Sequence, residues 1–104
     1  MPSTVKRTAR TKTTRYDVAD HLRTPEEMAA YLDAWLAEAP EDAAGIAKAL
    51  GDIARAKGMS QVARDSGLSR ESLYRALSAE GNPSLATVLK VARALGVRLH
   101  AQAV

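Results

Sequence analysis

The stretch Val62-Ala63-Arg64-Asp65-Ser66-Gly67-Leu68-Ser69-Arg70-Glu71-Ser72-Leu73 decides the fold of this chain. Ala63 offers a small side chain where two helices can cross, and Gly67 falls where a tight turn favours a positive φ. Ser60 and Ser69 can each cap a short helix, which predicts helices over about 61–66 and 70–78 with Gly67 between them. Val62, Leu68 and Leu73 bury the inner faces, with Leu77 one turn on. Glu71, Tyr74, Arg75 and Ser78, at i, i+3, i+4 and i+7, then share the opposite, outward face.

Further helices flank this pair. Thr24-Pro25-Glu26-Glu27 is a helix start: Thr24 can accept from an orphan amide, Pro25 sits where no N–H is needed, and Glu27 can close a capping box. Met28, Tyr31, Leu32, Trp35, Leu36 and Ala39 follow at helical spacing, ending before Pro40. A second helix begins near Glu41 and Asp42, runs through Ile46, Leu50 and Ile53, and stops at Gly58, with Lys57 suited to its negative end. After a turn at Glu80-Gly81-Asn82-Pro83, Ser84 caps a last helix whose inner stripe is Leu85, Val88, Leu89, Ala92 and Leu95, stopped by Gly96. Beyond it Val97, Leu99 and Ala101 alternate with Arg98, His100 and Gln102, the period of a strand. One strand cannot stand alone, so this segment either pairs, a partner subunit being the simplest candidate, or stays an extended tail. The expected class is all-α, five helices with a short C-terminal strand.

Composition narrows the function. A chain of 104 residues has room for one domain, expected over 16–104. The absence of Cys excludes disulfides, thiolate nucleophiles and Cys-containing zinc sites, and a reducing cytoplasm is the natural setting. No run approaches the ~20 apolar residues of a spanning helix, so no membrane role or export is expected. The net charge of +3 conceals a segregation: residues 1–15 carry five cations and no acid, residues 16–42 eight acids against Arg23, and residues 43–104 nine cations against four acids. Residues 1–15, with Lys6, Arg7, Arg10, Lys12 and Arg15 among five Thr, read as a disordered basic arm. The basic C-terminal two-thirds fits a polyanion partner, since cations that neutralise phosphates release condensed counterions; it equally describes an ordinary solvated surface.

The spacing from Ala63 through Gly67 to Leu73 resembles the phage-repressor helix-turn-helix at each of its buried positions, and so implies a lambda-repressor-like domain. A narrower resemblance covers about residues 16–100. Tyr16-Asp17-Val18-Ala19-Asp20-His21-Leu22, the run from Leu50 to Arg64, that from Gly67 to Ser78, Gly81-Asn82-Pro83-Ser84 and Leu95-Gly96-Val97-Arg98-Leu99 are similar to the addiction-module antidote proteins, also described as HigA-like antitoxins. That resemblance implies an antitoxin of a type II toxin-antitoxin system, which binds operator DNA, represses its own operon and neutralises a RelE/HigB-type ribonuclease toxin. By the same resemblance Arg70, Glu71, Tyr74 and Arg75 occupy positions that reach base edges, while Gln61, Ser69 and Ser72 can hold phosphates. A homodimer is expected, because one such helix reads too few base pairs and two-fold proteins read palindromes. The bland reading leaves Arg70 and Arg75 as solvated surface and Tyr74 as half-buried packing.

The toxin-contact candidates are Tyr31, Trp35 and Leu36 within the acidic segment 17–42, which complements the basic surface a ribonuclease presents to phosphates. Trp35 is also simply a packing residue of an amphipathic helix. His21 and His100 lack neighbouring ligands at metal-binding spacing, and Glu26/Glu27 and Glu41/Asp42 suit helix N-termini, so neither a metal, a cofactor nor catalysis is expected. A stand-alone repressor without a toxin partner is the alternative function.

Overall fold

Each helix of this chain is delimited by a residue that meets its terminal backbone groups, and those caps set the architecture. The computed structural model describes residues 21–78 and 80–104. The expectations for residues 1–15, and for Tyr16 to Asp20, lie outside them. Among the described residues there are five helices: α1 (Pro25–Glu38), α2 (Ala43–Lys57), α3 (Met59–Ser66), α4 (Arg70–Ala76) and α5 (Leu85–Leu95).

The capping box of α1 is complete. Thr24 Oγ1 accepts from the Glu27 amide at 3.1 Å, and Glu27 Oε1 accepts from the amides of Thr24 (3.0 Å) and Arg23 (2.8 Å). Helix α2 is capped by Asp42, whose carboxylate accepts from Gly45 N at 2.9 Å, and it ends at Gly58 with φ 118°. The same glycine opens α3, its carbonyl accepting from Val62 N at 3.0 Å. Ser60 is therefore not the cap: Met59 is buried at 6% exposure and must already be helical to face the core, so α3 starts two residues before the expected 61. Gly67 closes α3 in the left-handed region at φ 77°, and Ser69 caps α4 by accepting from Ser72 N at 3.0 Å. Helix α4 ends at Ala76 rather than Ser78, with Leu77 leaving the helical region at its C-cap, and the Ser78 hydroxyl donates to the Arg75 carbonyl at 3.1 Å. Ser84 caps α5, and Gly96 at φ 79° ends it.

One core gathers these elements: Leu22 before α1, Met28 and Leu32 from α1, Leu50, Ile53 and Ala54 from α2, Met59, Val62 and Ala63 from α3, Leu73 and Leu77 at α4, and Val91, Ala94 and Leu95 from α5. Of the expected inner stripe of α5, Ala92 and Leu95 are buried and Val88 packs half-buried against the core, but Leu85 and Leu89 do not face inward. Val91, Ala92, Ala94 and Leu95 face inward, whereas Leu85 and Leu89 are 69% and 50% exposed. At the C-terminal end of α5 the Lys57 ammonium of α2 donates to the Ala94 carbonyl at 2.6 Å. The expected C-terminal strand is absent from the described residues. Val97 and Leu99 are half-buried against the core and Arg98 and His100 exposed, but no second strand lies beside them to form a ladder.

A buried carboxylate ties α1 to α2. Asp52 of α2 is buried at 9% exposure, and accepts from Tyr31 Oη of α1 at 2.8 Å and from Arg55 Nη2 at 2.8 Å, with Lys48 Nζ at 3.5 Å. Gly51, its neighbour, lets the α2 backbone approach the end of α4: a Cβ there would stand 2.5 Å from the Leu77 carbonyl oxygen.

Gly51→Ala should therefore destabilise the protein by about 1–3 kcal/mol by overpacking, although the same change in an open helix gains about 1 kcal/mol; equilibrium urea unfolding measures the sign. The Glu27 carboxyl is held below its ordinary 4.5 chiefly by the Arg23 amide, with the Thr24 amide and the Arg23 charge adding against some desolvation. Its contribution is therefore full above that ordinary value and disappears as pH falls through the lowered one. The exchange protection of the Arg23 and Thr24 amides should fall over that acid range, and Glu27→Gln should remove this pH dependence.

Candidate functional site

Helices α3 and α4 are joined by Gly67, Leu68 and Ser69 alone. The turn is closed at three points: the amides of Gly67 and Leu68 both donate to the Ala63 carbonyl, at 3.0 and 3.1 Å, and the Ser66 hydroxyl donates to it at 3.2 Å. Leu68 packs half-buried against the core. Beyond the turn Leu73 and Leu77 are 0% and 1% exposed, so the inner face of α4 is fully committed to packing. Everything else on this seven-residue helix faces outward or along its edges.

The sequence-derived candidates are largely exposed. Gln61 on α3, Ser69 at the cap, and Arg70, Glu71, Tyr74 and Arg75 on α4 are exposed, and Ser72 is half-buried. Ser69 Oγ is engaged as an acceptor by the Ser72 amide but keeps its own hydroxyl hydrogen for an outside acceptor. Ser78, expected on this face, is half-buried and bonded to the Arg75 carbonyl. Tyr74 is 44% exposed, and Arg70 lies over its ring, the guanidinium carbon 5.6 Å from the centroid and Nη2 donating to Tyr74 Oη at 3.3 Å. An exposed cation–π contact of this kind contributes about 0.5–1 kcal/mol.

The charges on this surface are not consumed by the fold. Among the described residues the ion pairs are Lys48–Asp52 and Arg55–Asp52, both on α2, so Arg64, Arg70 and Arg75 form none. Glu71 in the first turn and Arg75 in the last suit the dipole of α4. Arg70 does not: it places a cation at the first helical position, beside the positive end. The dipole thus gives no reason for an arginine at 70, and its contact with Tyr74 is what holds it.

Tyr31, Trp35 and Leu36 are separated in role. The Tyr31 hydroxyl is bonded to Asp52, and Trp35 is half-buried against α2, where a Cβ on Gly45 would come within 2.6 Å of its ring. Leu36 is 38% exposed, and Asp33, Glu38 and Glu41 are exposed as well. Asp17 and Asp20 of the acidic segment lie outside the described residues. Sequence reading missed Asp52 as a structural acid. Its signal was present in the spacing: Lys48 and Arg55 at i−4 and i+3, with a tyrosine on the inward side of the preceding helix.

Comparison with known proteins gives two findings. A family model described as "Probable addiction module antidote protein" matches residues 12–103. An uncharacterized protein of Haemophilus influenzae is 53% identical over 87 residues, covering 84% of this chain and 88% of that protein. No solved structure matches.

Because the outward face carries none of the packing, Arg70→Ala, Glu71→Ala and Arg75→Ala should each change stability by less than about 1 kcal/mol. Leu73→Ala, a few ångströms away on the same helix, should cost about 2–5 kcal/mol. Urea unfolding of the four variants separates surface from core.

Proposed function

We propose that this chain, which belongs to the family of probable addiction module antidote proteins, is a HigA-like antitoxin that binds operator DNA through α3 and α4. In this reading the two helices are a phage-repressor-type helix-turn-helix in a lambda-repressor-like domain. The antitoxin represses its own operon and neutralises a RelE/HigB-type toxin in the cytoplasm, with no catalysis or cofactor of its own. The observation that carries the DNA part is the α4 surface: a helix anchored entirely by Leu73 and Leu77 presents Arg70, Glu71, Tyr74 and Arg75 outward with no ion pair among them. Such a helix fits a major groove, where Arg bridges guanine acceptors and Glu accepts from cytosine, while Gln61, Ser69 and Ser72 are placed for phosphates.

The domain acts as a homodimer with its two α4 helices about 34 Å apart, one turn of DNA. The exposed Leu85 and Leu89 of α5, continuous with a groove lined by Ala92, Val97 and Leu99, are the contact we propose. The toxin contact is assigned to the acidic outer face of α1 around Leu36. Tyr31 and Trp35 support that face from behind.

Gel shifts on DNA from upstream of the gene test the first part: Glu71→Ala and Arg75→Ala should each weaken binding by about 1–3 kcal/mol without unfolding, and unchanged affinity in both would refute it. Sedimentation should find a dimer, and Leu89→Asp should make it a monomer. Because α1 supplies Met28 and Leu32 to the core, deleting it would unfold the protein, so the toxin contact is tested by Leu36→Lys and Glu38→Lys. Both should abolish co-purification with the product of the adjacent gene while leaving DNA binding intact. A neighbouring gene with no toxic product would favour a stand-alone repressor.

A further inference from the structure

We propose that Tyr74 is a positioning residue for Arg70, and that the pair forms one preformed clamp for the acceptor edge of guanine in duplex DNA. This inference rests on the DNA-binding reading above. Arg70 stands where the helix dipole disfavours a cation, and no carboxylate among the described residues neutralises it. It is held instead by a neutral aromatic group one turn along the helix, with ring contact at 5.6 Å and the phenol oxygen 3.3 Å from Nη2. A carboxylate partner would fix the side chain and cancel its charge. The ring of Tyr74 fixes it and leaves the charge standing.

A guanidinium carries five donors in a planar fork, of which the phenol takes one. The rest of the fork meets two acceptors side by side, the O6 and N7 of guanine, whereas adenine sets a donor beside its N7. Holding the long side chain in advance lowers the ordering entropy lost when DNA binds. Having accepted from Arg70, the Tyr74 hydroxyl also keeps its own hydrogen for a neighbouring acceptor.

Selection of bound sequences from a random duplex pool, with affinities for Arg70→Ala, Tyr74→Ala, Tyr74→Phe and the Arg70→Ala/Tyr74→Ala double variant, tests this. Arg70→Ala should relax the preference for guanine at one position of each half-site. Tyr74→Ala should relax the same position, Tyr74→Phe less so, and the double variant should bind roughly two- to fivefold better than additive losses predict. Additive losses would overturn the coupling, and an equal loss on every sequence would overturn guanine in favour of phosphate. Nitrogen relaxation at Arg70 Nε in the DNA-free protein is the second readout. Tyr74→Ala should increase its mobility, and unchanged mobility would refute the positioning role. A wild-type protein that selects no DNA would overturn the DNA-binding reading and the guanine ligand with it, while the relaxation measurement still decides what Tyr74 does to Arg70.

Discussion

A helix of seven residues is too short to persist on its own in water, where isolated helices below ~12 residues are marginal. Helix α4 therefore exists where the rest of the molecule holds it, and the contact that holds it is the burial of Leu73 and Leu77 beside the bare backbone of Gly51. A side chain at 51 would push the end of α4 away from α2, and with it every residue of the outward surface. The Gly67 turn fixes one end of α4 and the Gly51 approach fixes the other. Between those two points the orientation of Arg70, Tyr74 and Arg75 is set by elements that contain none of them.

This division explains where the polar groups go. Asp52 takes up two of the cations of α2 and the Tyr31 hydroxyl, joining α1 to α2 at a buried carboxylate whose partners all come from those two helices. Only the loss of all these partners would leave the buried carboxylate unsatisfied, at about 1–3 kcal/mol. The cations of α3 and α4 have no such employment. A surface whose charges the fold does not use, mounted on a helix whose position the fold controls, has the properties a recognition surface needs: small tolerance in placement and full availability of its donors.

The legible parts of the fold were those written in local chemistry. Thr24, Asp42, Ser69 and Ser84 cap helices because their side-chain oxygens reach an amide two or three residues on, and Gly58, Gly67 and Gly96 end helices because a positive φ excludes most other residues. The exposed α4 surface followed from period alone, since Leu73 and Leu77 determine which residues lie opposite. What was not legible depended on contacts between distant elements. Ser60 looked like a cap as good as Ser69, and only the burial of Met59 beneath the other helices moves the start of α3. Leu85 and Leu89 fit an inward stripe on period, yet both stand exposed, because which part of a stripe is covered depends on where the other helices lie. Val91, Ala92, Ala94 and Leu95 take the buried side.

The C-terminal segment shows how far periodicity reaches. Val97 and Leu99 are half-buried and Arg98 and His100 exposed, so the alternation separates two sides as far as His100, while Ala101, expected with the apolar side, is exposed. It says nothing about hydrogen bonding in the plane between those sides, because a ladder is a property of two segments and the period is a property of one. The chain leaves α5 through the left-handed Gly96, and Val97 N donates back to the Ala92 carbonyl at 3.0 Å, which lays the segment along the helix it has just left. A helix flank offers side chains and no free ladder of carbonyls and amides, so the segment packs without pairing. Leu85 and Leu89 make the same point on α5, where the period fits an inward stripe and the described fold leaves both exposed.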